Sequence, residues 1–336
     1  MKKIKVKQCA YLIATVLTLI VLGSGYGSCT MFSDRLSDSA MVALDSFHHC
    51  QYMARSRGIG AAGRRSEQFD YANLLSRHTT AEQLVEIANT DTSRITRLWA
   101  YRILLKKADN QVFDVLKQAL KDTTHVEMMS GCSEFEEPYN RAAISIYRYD
   151  GYELKLSNQL CFSLDSLVFF DYMKPCGFER GLLMDFKPHK IYYATVIEEA
   201  DKGNDAILPL LAQYKNPNDR QRINKLLKLN LKKAGVCSHE ACEAISNWND
   251  PAFEWYAKAA CQATIKQEYY YAWDILHLLC AYPAPWSYQI LKELLTQKGD
   301  YSNSDTAKDY LTELYKTRPV PPIFKPLYDR YVVRKK

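Results

Sequence analysis

The 336-residue sequence contains no glycine-rich phosphate-binding loop, no serine nucleophile elbow and no His-Glu-x-x-His pair that would bind a catalytic zinc ion. The sequence therefore lacks the characteristic motif of each of the three enzyme classes that use these groups. Beyond residue 66 there is also no low-complexity tract and little alternation of polar and apolar residues, so few strands are expected. The sequence predicts no catalytic residue, no bound cofactor and no metal ion.

The first 28 residues differ from the rest of the chain. Acidic residues are absent there, and four lysines form a basic head before an apolar run over residues 9–22. Small residues then end the segment. This order is typical of a secretory signal, and the apolar run is shorter than the roughly 17–25 residues that span a bilayer. The alternative is an uncleaved membrane anchor; both interpretations place residues 30–336 outside the cytoplasm.

Cys29 follows Gly27 and Ser28 at the end of this signal. A small residue just before such a cysteine resembles the lipidation site of bacterial lipoproteins, although Tyr26 stands where that family usually carries leucine. The resemblance implies a lipid on Cys29, and Thr30 in place of an aspartate implies sorting to the outer membrane. Ordinary cleavage near Ser28 is the alternative.

The mature chain is almost neutral. Removing residues 1–28 removes four of the 44 basic residues and none of the 38 acidic ones, which leaves a net charge near +2. Such a balance argues against nucleic acid as a partner.

Eight cysteines lie beyond Cys9 and Cys29, and an even number in an oxidising compartment permits disulfides without fixing their pairing. They are Cys50, Cys132, Cys161, Cys176, Cys237, Cys242, Cys261 and Cys280. The segment from Cys237 to Cys242 is the densest set of metal-ligating residue types, but its spacing is not that of a zinc motif. A helix capped by Ser238 is the preferred interpretation. Buried free thiols are an alternative to disulfides for the remaining cysteines.

Two other short segments carry groups that could bind ions. Residues 132–137 combine Cys132 with three glutamates, which could bind calcium or share a proton, although a solvated loop is the simpler interpretation. His48, His49 and Cys50 are neighbours on a predicted helix over residues 41–53, and neighbours on a helix point about 100° apart. They therefore cannot all face one ion.

Short helices in pairs are predicted from residue 68 to residue 316. Thr80 and Gln83 have the spacing of a capping box, and apolar stripes then recur at helical spacing through residue 122. Connections this short place successive helices antiparallel. Asp91, Arg97, Ala100 and Leu104 resemble part of a HEAT-type repeat, and residues 206–227 provide a second candidate.

This resemblance implies an all-α fold: a right-handed α-solenoid of degenerate HEAT-like (ARM-like) helix pairs. The predicted organisation is a signal over 1–28, then a tether, one helix and a glycine-rich linker over 29–66. A helical array over 67–318 follows, with a less regular insertion over 139–201, and a proline-rich stop and basic tail over 319–336 close the chain. A non-repetitive helical domain is the main alternative.

The helix over residues 220–233 is the most basic surface that the sequence predicts. Ile223, Leu226, Leu227 and Leu231 share one side of it at 100° per residue. The candidate partner-binding residues lie elsewhere on this helix: Arg220, Arg222, Lys225, Lys228, Lys232 and Lys233. The alternative is the solvated side of a repeat helix. A tyrosine run at 269–271 is a second candidate surface.

These features predict an exported, lipid-anchored protein of the cell envelope that binds or scaffolds a macromolecular partner, because solenoids usually bind through extended faces. The partner would be a protein or an anionic envelope component. One alternative is a helical-toroid enzyme acting on envelope or dietary polysaccharide, with two carboxylates in a deep cleft surrounded by aromatic residues. Another is a purely structural subunit of an envelope complex.

Overall fold

A computed structural model describes residues 36–154, 156–184, 186–234, 238–266, 272–297 and 303–333. The signal segment, Cys29, Cys237, the tyrosine run and the last three residues of the basic tail lie outside these ranges. In the described part, no helix combines the length and the apolar character needed to cross a bilayer. The chain divides into two compact units, unit 1 up to Tyr172 and unit 2 from Met173.

Unit 1 is mostly helical and also contains a small sheet. Its helices are α1 (Asp38–His48), α2 (Gln68–His78), α3 (Ala81–Thr90), α4 (Arg94–Lys106), α5 (Val112–Ala119), α6 (Tyr139–Leu154) and α7 (Asn158–Leu167). Its strands are β1 (Met53–Ile59), β2 (Arg64–Arg65), β3 (His125–Gly131) and β4 (Ser133–Pro138). The prediction of an all-α fold is therefore correct only in its coarse form, a mainly helical protein.

The four strands form one mixed sheet in the order β2-β1-β3-β4. β1 and β3 are parallel, with Met53 opposite Met128, whereas β1–β2 and β3–β4 are antiparallel hairpins. The glycine-rich segment that was predicted to be a linker is the first hairpin. Gly60 and Gly63 adopt positive φ in its turn, a conformation that glycine reaches without steric cost.

One helix of unit 1 begins at the cap that the sequence predicts. Thr80 accepts from the Gln83 amide and Gln83 bonds back to the Thr80 amide, which confirms the capping box at the start of α3. Ser93 caps α4 with a single bond, in which its hydroxyl oxygen accepts from the Thr96 amide. The apolar residues predicted to point inward on α4 are buried, and Trp99 on this helix has no exposed surface.

One buried polar contact joins the sheet to the helices of unit 1. The Gln68 side-chain oxygen accepts from the Trp99 indole nitrogen at 2.8 Å and from the Ala54 amide at 2.9 Å, and its amide group donates to the Tyr52 carbonyl at 2.7 Å. Phe69 packs edge-on against Trp99, with ring centres 5.0 Å apart. These bonds fix β1 against α2 and α4.

The described residues of unit 2 form helices and connecting turns, with no strand. A π-helical turn (Val168–Met173) ends unit 1, and unit 2 continues with one turn at Lys174–Cys176. Its helices are then α8 (Arg180–Met184), α9 (Lys190–Asp201), α10 (Leu208–Gln213), α11 (Arg220–Ala234), α12 (His239–Trp248), α13 (Glu254–Thr264), α14 (Ala272–Ala281), α15 (Pro285–Thr296), α16 (Ser304–Thr317) and α17 (Lys325–Tyr331). Short 3-10 turns, Asp205–Ile207, Pro217–Asp219 and Pro251–Phe253, precede α10, α11 and α13. The predicted proline-rich stop is thus followed by α17.

Contacts within each unit join alternate helices. In unit 1, α4 contacts both α2 and α6, and α5 contacts both α3 and α7. In unit 2, contacts run from α8 through α10, α12 and α14 to α16, and from α9 through α11 and α13 to α15. Within the region predicted as irregular, α6 and α9 are regular helices, and the short elements lie between them.

Candidate functional site

The basic helix that the sequence predicts is α11. It follows a 3-10 turn in which Asn216 accepts from the Asn218 amide. Ile223, Leu226 and Leu227 are fully buried, as the apolar stripe predicts, and Leu231 is half-buried. The six basic candidates therefore lie around the remaining surface of the helix, but they do not form one free patch.

Two of the six, Arg220 and Lys233, bind buried carboxylates at either end of α11. The Arg220 guanidinium contacts Asp250 at 2.7 Å, and the Lys233 ammonium contacts Asp205 at 3.0 Å. Both aspartates are 5% exposed. Because an unpaired carboxylate is costly at such depth, these basic side chains are held in place by the fold.

Arg222 joins two carboxylates. Its guanidinium lies 2.6 Å from Asp201 and 3.0 Å from Asp219, which is 1% exposed and also accepts from the Tyr193 hydroxyl at 2.7 Å. The hydrogen bond from Arg222 lowers the pKa of Asp201. This arginine is therefore part of a network that fastens α11 to α9 and to the turn before α11.

The other three candidates, Lys225, Lys228 and Lys232, are exposed and are in no ion pair among the residues that the structure describes. They are three and four residues apart, so they share one side of α11. The structure thus separates the predicted set of six into three fixed and three free cations.

A second cationic site lies in unit 1, where no binding residue was predicted. Arg55 and Arg57 are two residues apart on β1, which is the spacing of side chains on one face of a strand. Arg102 and Lys106 are four residues apart on α4 and share one side of that helix. The four basic side chains line one cavity of about 440 Å³.

Aromatic rings provide much of the environment of these cations. Arg57, Arg102 and Lys106 lie 5.7, 5.0 and 5.9 Å from the centre of the Phe69 ring. Each lies within the range of a cation–π contact, which is worth about 0.5–2 kcal/mol depending on how dry the site is. The basic groups of β1 and α4 therefore converge on one ring.

Arg102 is the buried member of this site, at 7% exposure. Its two terminal nitrogens donate to the carbonyl oxygens of Ala54 and Arg55, each at 3.2 Å, and it also lies 4.9 Å from the Trp99 ring. Its charge is thus held against the backbone of β1, beneath the arginines of that strand. This contact positions the strand and adds to the positive potential of the cavity.

Arg55 stacks over the ring of Tyr149 at 4.3 Å, and Tyr149 itself is 70% exposed. One terminal nitrogen of Arg55, Nη2, is buried and donates to no hydrogen-bond acceptor in the described structure. A buried guanidinium donor without an acceptor costs free energy that an incoming anion would recover.

The cavity wall combines these cations with apolar and hydroxyl groups. Besides the four basic residues, the described lining residues are Ser56, Phe69, Ser130, Ile146, Tyr149 and Leu154. None of them is acidic. The lining therefore combines guanidinium groups that can bind an oxyanion with apolar side chains that can contact the rest of a ligand.

The sequence did carry two weak signals for this cavity. Arg55 and Arg57 have the alternation of one strand face, and Arg102 and Lys106 have the spacing of one helix face. The glycines that follow Arg57 favour a linker in the sequence and so obscure the first signal. The second required knowing that α4 lies beside β1, which no local pattern indicates.

The candidate ion-binding segments are used otherwise by the fold. His48 lies 2.9 Å from Asp91, His49 bonds to the Asp45 carbonyl, and residues 133–137 belong to strand β4 instead of a loop. No group of three or more potential ligands converges within the described residues.

The structure also tests the predictions for the helix cap at Ser238 and for the cysteines. Ser238 caps α12, as predicted, and Cys242 is in a disulfide bond. The described cysteines outside any disulfide bond are Cys50, Cys132, Cys161, Cys176, Cys261 and Cys280. Burial raises the pKa of the Cys280 thiol to about 12 and raises that of Cys261 as well. Thiols of this kind are poor nucleophiles.

A polysaccharide enzyme would need two carboxylates in a cleft surrounded by aromatic residues, and the described structure matches this only in part. In unit 2, Glu240 and Glu243 line a cavity of about 430 Å³ together with Gln213, Lys215 and Asn247. None of the described residues that line it is aromatic, whereas the enzyme hypothesis requires aromatic side chains around the carboxylates.

Comparison of the chain with protein-family models, curated proteins and solved structures finds no match.

Proposed function

We propose that this chain is an exported, lipid-anchored binding protein of the cell envelope, and that unit 1 binds an anionic ligand in its arginine-lined cavity. The ligand would combine an oxyanion, such as a phosphate or a carboxylate, with an apolar or aromatic body. The single observation that carries the proposal is the pair Arg55 and Arg57, two guanidinium groups on one strand face that meet no described carboxylate.

Arginine suits this role because its planar guanidinium binds phosphate and carboxylate groups through two parallel hydrogen bonds. Arg55 has a buried donor to spare, and its contact with Tyr149 holds the group at the cavity wall. Phe69, Ile146 and Leu154 provide the apolar surface that most small-ligand sites require.

The scaffold in this proposal is a HEAT-like array. Contacts between alternate helices in each unit support it, since stacked helix pairs make this pattern. In such an array every helix pair buries its apolar side only against its neighbours. The small sheet of unit 1 is an addition that supplies β1 to the cavity.

The anchor is the lipid that the sequence implies on Cys29. Replacing Cys29 with alanine should release the protein from the membrane fraction into the soluble fraction. Retention of the variant in the membrane would contradict the anchor without affecting the cavity proposal.

Binding of phenyl phosphate and of benzoate to the purified protein, measured by calorimetry, tests the cavity. The double variant Arg55→Gln/Arg57→Gln should bind phenyl phosphate at least about tenfold more weakly, because charge-assisted hydrogen bonds contribute about 1.5–3 kcal/mol each. Comparing the two ligands distinguishes a phosphate site from a carboxylate site.

Arg64→Gln/Arg77→Gln is the matched control, since it removes two exposed arginines elsewhere in unit 1. This variant should bind as the unaltered protein does. Equal affinity of the two double variants for both ligands, or no binding of either ligand to the unaltered protein, would refute the proposal. Arg55→Lys should give an intermediate affinity because lysine keeps the charge and loses the forked geometry.

A further inference from the structure

A second surface, in unit 2, combines free lysines with an exposed tryptophan. Lys225 and Lys232 are seven residue steps apart on α11 with Lys228 between them, a rise of about 10 Å along the helix. Trp255, on the neighbouring helix α13, is 38% exposed. Lys225 and Lys228 line the same shallow depression of about 520 Å³ as Trp255.

The indole ring in this depression is fixed by its neighbours. Its nitrogen donates to the side-chain oxygen of Asn224 at 2.6 Å, and the ring lies edge-on to Tyr256, with centres 5.8 Å apart. Gln221 and Ala252 complete the lining. The indole is thus held in place and stays partly exposed beside amide groups and two lysines.

The free lysines have no internal use in the described structure. Lys225 contributes to the lowered pKa of Asp201, but Arg222 is the larger cause and already binds that carboxylate through two hydrogen bonds. Lys228 and Lys232 are in no ion pair among the described residues. The contrast with Arg220, Arg222 and Lys233 on the same helix separates cations that hold the fold from cations available to a ligand.

We propose that this surface, defined by Gln221, Asn224, Lys225, Lys228, Lys232 and Trp255, binds an acidic polysaccharide. The apolar face of a sugar ring would stack on Trp255, because an aromatic ring offers a flat apolar surface beside polar groups. The amides would bond to hydroxyl groups, and the row of lysines would pair with acid groups that recur along the polymer.

The composition of the surface favours a sugar polymer over a protein partner. A stable protein interface buries about 800 Å² on each side around an apolar core from which charged residues are depleted. Here one aromatic residue is surrounded by lysines and amides. A repeating anionic polymer needs only a row of charges and a stacking platform.

Binding of the full chain to polygalacturonate, polyglutamate and neutral dextran, measured at about 50 mM salt, tests the proposal, since exposed charge pairs are screened strongly at higher salt. The protein should bind polygalacturonate in preference to both other polymers. Lys225→Gln/Lys228→Gln should weaken that binding about tenfold, and Trp255→Leu should weaken it by a similar factor.

Lys117→Gln/Lys292→Gln is the matched control because it removes two exposed lysines from other surfaces, and it should leave the affinity unchanged. The lysine variants alter exposed groups only, so they test the surface even if Trp255→Leu fails to fold. Phenyl phosphate binding in unit 1 should be unaffected by Lys225→Gln/Lys228→Gln, which keeps this test separate from that of the arginine-lined cavity.

Two results would overturn the proposal. One is equal binding of polyglutamate and polygalacturonate with no effect of Trp255→Leu in a folded variant, which would indicate a simple electrostatic surface for acidic polypeptides. The other is unchanged polygalacturonate affinity in Lys225→Gln/Lys228→Gln.

Discussion

Unit 1 and unit 2 each gather basic side chains, but their surroundings differ. On α11 of unit 2, Arg222 lies between Asp201 and Asp219, and Arg220 lies against Asp250. In the cavity of unit 1, Arg55 and Arg57 meet aromatic rings and no described carboxylate. The first arrangement stabilises the fold, whereas the second leaves positive charge available to a ligand.

The density of basic residues along a helix is therefore a poor guide to a binding site. Half of the cations on α11 are already neutralised by carboxylates that lie up to 30 residues away in the sequence. The arginines of β1 are fewer, but they are placed in a concave site beside rings and hydroxyl groups. Availability to a ligand depends on which charges the fold leaves without a partner.

Replacing Arg222 with methionine should have the largest effect on stability. The substitution keeps the aliphatic part of the side chain and leaves the buried Asp219 without its cation, which should lower the free energy of unfolding by about 2 kcal/mol. The expected loss is below the upper range for buried pairs because Arg222 is partly exposed. Urea unfolding followed by circular dichroism measures it.

Lys228→Met is the matched control on the same helix. This lysine is exposed and has no ion-pair partner in the described structure, so its replacement should change the stability by less than about 0.5 kcal/mol. Equal losses in the two variants would contradict the distinction between fixed and free cations on α11.

A carboxylate introduced into the cavity of unit 1 should convert it into the arrangement seen on α11. Ser130 on β3 lines the cavity, and Ser130→Glu would place an acid beside Arg55 and Arg57. We expect the free energy of unfolding to rise by about 0.5–1 kcal/mol at low salt and phenyl phosphate binding to be lost. Thermal unfolding and calorimetry on one preparation measure both effects.

Ser130→Gln has nearly the same shape without the charge and serves as the control. It should bind phenyl phosphate more strongly than Ser130→Glu and should show no gain in stability at low salt. If Ser130→Glu were destabilising relative to Ser130→Gln, the positive charges of the cavity would have to be compensated already.

Local sequence signals were sufficient for several helices and insufficient for the sheet. The capping box at Thr80 and the apolar spacing around Trp99 lie within single helices, so the sequence predicts α3 and α4 well. Strand β1 pairs with β3 across the separation between Met53 and Met128, and β4 consists largely of glutamates and serine, which have little strand propensity. Tertiary context therefore decides both strands.

The same reasoning applies to the two sites. The cations of α11 can be identified from the sequence because they lie on consecutive turns of one helix. Their partners Asp201, Asp219 and Asp250 cannot, because these lie outside that helix. The arginine-lined cavity depends on β1 lying beside α4, about 45 residues later in the chain, which the Gln68 contacts to Trp99 and Ala54 secure. Neither relation leaves a local pattern.

Unit 1 also contains arginines that are neutralised by carboxylates, among them Arg97, and acid should reveal the contribution of that pair. Arg97 lies 3.0 Å from Asp122, which also accepts from the hydroxyl and the amide of Thr124. Partial burial raises the pKa of Asp122, but the bonds from Thr124 and Arg97 outweigh it, and the net pKa is lowered. The stability from this group is present above the unfolded-state pKa of about 3.9 and is lost as the pH falls through the lower folded-state value.

Thr124→Val should therefore shift acid unfolding to higher pH by a few tenths of a unit, the smallest effect expected here, while stability at pH 7 falls by no more than about 1 kcal/mol. Thr123→Val, at a neighbouring exposed threonine that also borders the depression around Arg97, is the control and should leave the acid midpoint unchanged. Arg57→Gln should not shift that midpoint either, because Arg57 has no described carboxylate whose pKa it could lower. A shift for Arg57→Gln as large as that for Thr124→Val would show that an acid group compensates the cavity of unit 1, and the contrast between the two units would then disappear.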